Sequence, residues 1–411
     1  MAYSHVENVN NPLIFGKSLE EWQQSQAGHT AGEIAQQPWL WKKTADVLRS
    51  QEASIRQFLD IAFSHPDLEI VLTGAGSSAF IGVILEGAYQ KYTGRKSSAY
   101  ATTHLLTHPQ NYFGKGKTIL LVSFARSGNS PESEAAVHLA NRYCKKVYHL
   151  IITCSASGKL GQSQHIRPGY VLLLPPESND QGLAMTGSFT SMLLAGLLIA
   201  RLNELPSLQK ELDLLGRYGK KILEEYGPLL QNIAELHFDR TVFLGSGPLY
   251  GAALESHLKV QELTDGKTIC KYDSFLSFRH GPKVVITPST LIVYLCSNDP
   301  YVAQYELDLI KSIHHGEKGV LRIMVSEHTG EARPYTDASI ILNNGQERLD
   351  EEFLAICYVL PAQMLGLFRS LALGLNPDSP SLNGTITRVV QGVTIYTPPE
   401  PGNGQEKKAD T

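Results

Sequence analysis

The sequence predicts an α/β protein made of two tandem units, each a parallel sheet held between layers of helices as an αβα sandwich. Three observations carry that expectation. Apolar runs of strand length alternate with helical stretches along most of the 411 residues, the pattern of a parallel sheet covered on both faces. The alternation runs through once, pauses in a helical connector, and restarts. A Gly-x-Gly step recurs at matching points, Gly74-x-Gly76 and Gly245-x-Gly247, and the same offset carries Thr93 onto Thr264 and Lys96 onto Lys267. A tandem duplication is expected.

Residues 18–63 read as a helical preamble. Ser18-x-x-Glu21 and Thr30-x-x-Glu33 are capping-box patterns, in which a hydroxyl and a carboxylate satisfy each other's free amides at a helix start. Strand 69–74 then leads through the loop AGSSA into a helix ending near 92, and strand 117–124 leads through ARSGNS into a helix from Pro131. Strands 147–153 and 170–174 and a helix over about 184–204 complete the first unit. A helical connector over about 207–236 follows. The second unit opens with TVFLGSGPLYG at 241–251 and continues through strand 291–296, a helix over 301–315, strands 319–325 and 339–343, and one long helix over about 350–373. The end from Pro398 is polar and rich in proline and glycine, so disorder is expected there. The expected division is 1–44 as an N-terminal helical extension, 45–206 and 207–375 as the two units, and 376–411 as a partly disordered tail.

Bulk composition narrows the function. With 36 Lys plus Arg against 40 Asp plus Glu, the formal charge of -4 gives no sequence-wide basic field for nucleic acid or an anionic membrane. The five cysteines are scattered and never in a C-x-x-C pair, which suits a reducing cytoplasm and indicates neither a disulfide framework nor a zinc site. The run MLLAGLLIA at 192–200 is too short to span a bilayer. The expected partner is a small molecule, in the cytoplasm.

The segment GAALESHLKVQEL (251–263) raises the functional question. At roughly 100° per residue, Glu255, Lys259 and Glu262 fall within an arc of about 60° on a helix that is otherwise mostly apolar. A thin polar stripe of this kind suits an element packed on nearly all sides, with one strip opening onto a polar cavity. The ordinary alternative is a salt bridge on a partly exposed helix.

Two loops of the first unit are suited to an anion, because helix starts beyond the carboxyl ends of parallel strands present free amides and partial positive charge. AGSSA supplies Gly76, Ser77 and Ser78. ARSGNSPES supplies Arg126, Ser127, Gly128, Asn129 and Ser130 ahead of Pro131. The serines can equally serve as plain helix caps. Gly74-x-Gly76-x-x-Ala79 also satisfies the dinucleotide fingerprint, but no acidic residue follows in GRKSSAYATTH, where a nicotinamide site wants one for the ribose.

Together GAGSSAF, SFARSGNSPE, GLAMTGSF, ALESHLKVQEL and FRHGP resemble the tandem sugar isomerase (SIS) domain architecture. The last two are similar to the isomerase half of glucosamine-6-phosphate synthase. HTAGEIAQQPWLW (29–41) and NPDSPSLNGTITRVVQGVTIY (376–396) extend the resemblance to the bacterial galactosamine-6-phosphate deaminase/isomerase family, also labelled tagatose-6-phosphate ketose/aldose isomerase. The resemblance implies Glu262 as the base between C1 and C2 of an open-chain sugar and His280 in ring opening, at its own site or that of a neighbouring subunit. It implies Ser78, Ser127 and Ser130 at the sugar phosphate and Thr186 near the substrate. Where the synthase loop has serine and glutamine, this chain has Ala125 and Arg126, so its phosphate contacts are expected to be redistributed. A homodimer or higher homo-oligomer is implied as well.

The chemistry fits these residue types. Aldose-ketose interconversion needs one base that takes a proton from one carbon and returns it to the next, which suits a carboxylate on a rigid helix. Lys259 can stabilise developing negative charge while Glu255 orients it across an i,i+4 pair. Neither metal nor organic cofactor is required. His104 with His108, and His314 with His315, read as surface or structural residues rather than metal ligands. The expected function is conversion of galactosamine-6-phosphate to tagatose-6-phosphate and ammonia. The alternatives are simple ketose/aldose phosphate isomerisation and noncatalytic sensing of a sugar phosphate.

Overall fold

The computed structural model describes residues 13–162, 168–381, 383–390 and 392–397. The end from Pro398, expected to be disordered, lies outside them. Four helices precede the first strand: α1 (Leu19–Gln24), α2 (Gly28–Ala35), α3 (Gln37–Ser50) and α4 (Glu52–Phe63). Ser18 starts α1 with the expected capping box, its hydroxyl accepting from Glu21 N at 3.2 Å while the Glu21 carboxylate accepts from Ser18 N at 2.7 Å.

The second expected box does not form. Thr30 and Glu33 lie inside α2, which begins after Ala27 without a side-chain cap. The Thr30 hydroxyl donates instead to Asp378 at 2.7 Å, and the Glu33 carboxylate accepts from Gln181 N at 2.5 Å. Partners from distant parts of the chain have outcompeted the local pairing that the four-residue pattern suggests.

The first sheet unit runs β1 (Leu68–Thr73), α5 (Ser77–Thr93), β2 (Ser97–Ala99), α6 (Thr102–Thr107), α7 (Pro109–Tyr112), β3 (Thr118–Ala125), α8 (Pro131–Tyr143), β4 (Lys146–Thr153), β5 (Gly169–Leu173) and α9 (Gly187–Ala200). Two helices connect, α10 (Gln209–Glu225) and α11 (Gly227–Ala234), parted at Gly227-Pro228. The second unit runs β6 (Arg240–Leu244), α12 (Pro248–Leu263), β7 (Ile269–Asp273), α13 (Phe275–Phe278), β8 (Thr290–Leu295), α14 (Pro300–His315), β9 (Leu321–Ser326), β10 (Ala338–Ile341), α15 (Glu351–Tyr358) and α16 (Leu360–Ala372).

Both sheets are five-stranded, in the orders β2-β1-β3-β4-β5 and β10-β9-β8-β6-β7, and every pairing is parallel. In each unit the first strand lies between the second and the third. The edge strands β2 and β7 are absent from the sequence expectation, since Ser-Ser-Ala and Ile-Cys-Lys-Tyr-Asp lack the apolar run that marks a strand buried on both faces. The expected long helix over 350–373 is two helices meeting at Val359, because Pro361 has no amide to continue the ladder.

The equivalence of the units extends to backbone detail. Gly76 precedes α5 with φ 56° and ψ -132°, and Gly247 precedes α12 with φ 53° and ψ -128°, a conformation essentially reserved for glycine. Each lets the strand turn sharply into its helix. The two units share a core, in which α5, α9, α12, α15 and α16 contribute Ile84, Leu193, Ala253, Ile356 and Leu365 to one apolar cluster. Every residue of α9 is buried, including MLLAGLLIA. Among the described residues one helical stretch, Glu351–Ala372, is long and apolar enough to cross a membrane, and 94% of its most apolar window is buried inside the fold.

Candidate active site

Helix α12 answers the question its sequence raises. Glu255 and Lys259 are fully buried and the Glu262 side chain is 24% exposed, so the polar stripe is enclosed at one end and open at the other. Lys259 Nζ lies 3.3 Å from Glu255 Oε1, 2.7 Å from Glu262 Oε2 and 3.0 Å from Ser77 Oγ. Helix α12 of the second unit is thereby tied to the AGSSA loop of the first.

The electrostatics follow from burial. Desolvation pushes the Glu255 carboxyl up to about 7, with Lys259 opposing the shift and Glu262 adding to it. Burial alone would lower the Lys259 ammonium, but Glu255 and then Glu262 outweigh it and hold it above the ordinary lysine value. The stripe is thus one fixed cation between two carboxyl groups, and Glu262 is the one with access to solvent.

The two serine loops behave differently. Gly76 rather than a serine precedes α5, which has no side-chain cap. The Ser77 hydroxyl accepts from Lys259, and the Ser78 hydroxyl points at Met185 Sδ, 3.9 Å away. In the second loop the capping alternative holds for Ser130, which accepts from Ser133 N at 3.4 Å and donates to Glu132 at 2.6 Å. Ser127 Oγ accepts from Asn129 N at 3.3 Å, and the Asn129 side chain accepts from Lys159 N at 3.1 Å. Gly128 turns this loop with φ 65°.

Arg126 is buried and reaches carbonyls rather than a carboxylate. Its guanidinium donates to Leu183 O at 3.0 Å and to Arg388 O. Burial lowers its pKa, with Asp180 and Glu262 working against the shift and Arg388 with it. Thr186 is buried at the start of α9, its amide donating to Asp180 Oδ2 at 2.7 Å, and its hydroxyl has no hydrogen-bond partner among the described residues. His280 follows α13 on the exterior, next to Gly281 with φ 117°, and its imidazole makes no hydrogen bond among the described residues. Glu255, Lys259, Glu262 and Ser77 therefore form one bonded group, and no hydrogen bond joins His280 to it among the described residues.

Residues that the sequence reading missed cluster around the loop 178–188. The Asp180 carboxylate accepts from Thr186 N, from Ser188 N at 2.9 Å and from Ser188 Oγ at 2.5 Å. Asp378 accepts from His29 N at 3.1 Å and from both Thr30 N and Thr30 Oγ1 at 2.7 Å. These bonds join the two flanking segments, HTAGE and NPDSPS, that look unrelated in sequence.

Comparison with known proteins agrees with this architecture. The SIS domain family matches residues 63–202. The D-galactosamine-6-phosphate deaminase AgaS of Escherichia coli O157:H7 is 40% identical over 372 residues, 89% of this chain and 95% of its own. The chain belongs to the galactosamine-6-phosphate deaminase AgaS family of SIS-domain proteins. A Shewanella family member of the same name is 36% identical over 400 residues, covering 96% of this chain and 97% of its own. Among solved structures, the tagatose-6-phosphate ketose/aldose isomerase from Escherichia coli matches 90% of this chain and 97% of its own with a TM-score of 0.81 at 35% identity. Family membership thus spans both sheets, beyond the segment that the SIS domain alone covers.

Proposed function

We propose that this protein converts galactosamine-6-phosphate to tagatose-6-phosphate and ammonia, with Glu262 as the proton-transferring base. The observation that carries the reading is the Lys259 junction, which holds Glu262 at 2.7 Å and Ser77 of the serine loop at 3.0 Å. It sets a carboxylate with solvent access beside a loop able to receive an anion. The names of the family relatives support the same substrate class.

In this reading the sugar phosphate is held by the loops bearing Gly76, Ser78, Ser127, Gly128, Asn129 and Ser130. Arg126, buried with only carbonyl partners, supplies positive charge behind them. His280 assists opening of the sugar ring. Glu262 removes the C2 proton to give an enolamine and returns it to C1, leaving an imine at C2. Water adds to that imine and ammonia leaves, so the product is the ketose phosphate. Lys259 stays charged throughout and stabilises the oxygen that becomes negative, while Glu255 keeps its ammonium in place. With a hydroxyl in place of the amine the same parts isomerise through an enediol, the activity in the name of the Escherichia coli structure.

The exterior position of His280 supports a homodimer in which it serves the neighbouring subunit's cleft. Leu276 is 50% exposed and Val284 84% exposed on either side of it, an apolar setting suited to a partner surface. Measuring ammonia release from galactosamine-6-phosphate and glucosamine-6-phosphate, beside isomerisation of tagatose-6-phosphate, tests the proposal. Ammonia from the galacto substrate supports it. Isomerisation without ammonia release moves the assignment to a simple isomerase, and binding without turnover moves it to a sensor.

A further inference from the structure

We infer that the chain around Arg388 is a strap that positions Arg126 and the Thr186 loop, with Arg388 acting as a positioning residue and not as a substrate ligand. The inference rests on the phosphosugar reading only for what the cleft binds. Its geometry stands on bonds within the chain.

Arg388 works in two directions. Its side chain grips the loop 178–188, Nε donating to Asp180 O at 2.7 Å and a terminal nitrogen to Asn179 Oδ1 at 2.8 Å and to Asp180 O. Its own carbonyl accepts from the Arg126 guanidinium, whose other terminal nitrogen donates to Leu183 O. One residue therefore fixes the serine loop that carries Arg126 and the loop that carries Thr186, and fixes them relative to each other. The backbone it grips belongs to Asp180, the residue whose carboxylate receives Thr186 N and Ser188 N at the start of α9. A shift of Asp180 would be passed directly to Thr186.

The chain reaches this position from a second anchor. Asp378 binds the amides of His29 and Thr30, its own amide donates to Gln26 O at 3.0 Å, and its carbonyl accepts from Leu183 N at 3.1 Å. Between the anchors, residues 383–387 are exposed, turning through Gly384 at φ 64°. The exposed stretch 383–387, between the buried Pro380-Ser381 and Arg388, is a strap and not part of the packed fold.

Arg126 and Arg388 are neighbouring cations, and each lacks a bonded carboxylate among the described residues. The Asp180 carboxylate, buried and with Oδ1 free of any hydrogen bond among the described residues, offsets part of the lowering of the Arg126 pKa that burial causes. Carbonyl oxygens hold both guanidiniums in place without neutralising them. The Asp180 and Glu262 carboxylates act on Arg126 through space without bonding it, so its guanidinium is held by carbonyls alone among the described residues.

Amide hydrogen exchange on the full-length protein without ligand tests the geometry. Arg388→Ala is expected to speed exchange at 126–130 and 179–188 as well as at 383–390. Faster exchange confined to 383–390 overturns the inference. Kinetics test the consequence. With any of the three sugar phosphates that the wild type turns over, Arg388→Ala is expected to raise KM about tenfold with a smaller change in kcat, the pattern of lost ground-state binding. Arg388→Lys is expected to recover part of the loss, because one ammonium nitrogen can replace the terminal nitrogen that serves Asn179 and Asp180 but not Nε, which also holds Asp180 O. The double variant Arg126→Ala/Arg388→Ala is expected to lose less than the sum of the two single variants, since Arg388 acts in part through Arg126. Additive losses, or an unchanged KM in Arg388→Ala, overturn the inference. If Arg388→Ala does not fold, Arg388→Lys carries both comparisons. If the wild type turns over none of the sugars, the proposed reaction fails while the exchange result still decides the strap.

Discussion

Lys259 Nζ lies 2.7 Å from Glu262 and 3.3 Å from Glu255, so one buried ammonium is shared between a carboxyl group open to solvent and one sealed behind it. That asymmetry separates the roles of two acids seven positions apart on one helix. Glu255 is fully buried against Lys259. Glu262 has access to solvent.

The first prediction concerns Glu262. Glu262→Gln keeps the size and one hydrogen-bond acceptor for Lys259 but cannot take a proton, so turnover should fall by about 10²–10⁴-fold. Binding of galactosamine-6-phosphate, measured by calorimetry, should remain within a few-fold. Substantial turnover in the folded variant would remove Glu262 from the proposed role of base.

A second prediction concerns the buried pair itself. Lys259→Met leaves the Glu255 carboxyl without its cation in a fully buried position, a change that costs about 3–5 kcal/mol when one partner of a buried pair is removed. Adding Glu255→Gln should return much of that loss, because an uncharged pair of similar volume has no ion to desolvate. Thermal unfolding of the single and double variants measures both steps. Activity should not return with stability, since the double variant still lacks the ammonium beside Glu262.

The extent to which the fold and the site were legible follows from how local each signal is. β1, β3, β4, β6, β8 and β9 are apolar runs between recognisable turns, and their positions along the chain follow from pattern alone, whereas their order in the sheets does not. β2 and β7 are edge strands with polar residues, and nothing local distinguishes them from loops. The stripe on α12 was readable because Glu255, Lys259 and Glu262 obey helical spacing. The contact of Lys259 with Ser77 was not, because 182 residues separate the two. Thr30 and Glu33 carry the opposite lesson. Their spacing imitates a capping box, yet their partners are Asp378 and the amides of 181 and 182. Only a fold that brings both chain ends to one loop distinguishes the two cases.

A third prediction contrasts two glycines of one loop. A Cβ at Gly74 would lie 2.5 Å from Ser78 C and 2.6 Å from Ser78 O, both backbone atoms at the start of α5. At Gly76 nothing lies within 4 Å, and the obstacle is φ 56° alone. Gly76→Ala should therefore cost about 1–3 kcal/mol of backbone strain. Gly74→Ala should cost more, because Ser78 must move and carry α5 with it. Denaturant unfolding orders the two, and equal losses would mean that the loop yields more easily than its packing implies.

The last prediction is a pH dependence set by Glu33. Burial pushes its carboxyl up from 4.5 to about 9, with Asp180 adding to the shift and the amides of Gln181 and Gly182 opposing it. The folded protein therefore keeps a proton on Glu33 that the unfolded chain releases near its ordinary pKa. Between those two values the native state binds the extra proton, so Glu33 makes stability fall as pH rises. Its favourable share is fully present below about 4.5 and is lost as pH passes through about 9. Above that point Glu33 ionises close to Asp180 and Asp378, and the repulsion acts on the loop that positions Thr186. Glu33→Gln keeps an acceptor for the two amides and has nothing to ionise. Its stability should decline less steeply than that of the wild type between pH 6 and 9, measured by denaturant unfolding at fixed ionic strength. Parallel curves for the two proteins would show that Glu33 is already ionised at neutral pH, with the Gln181 and Gly182 amides sufficient to hold its charge.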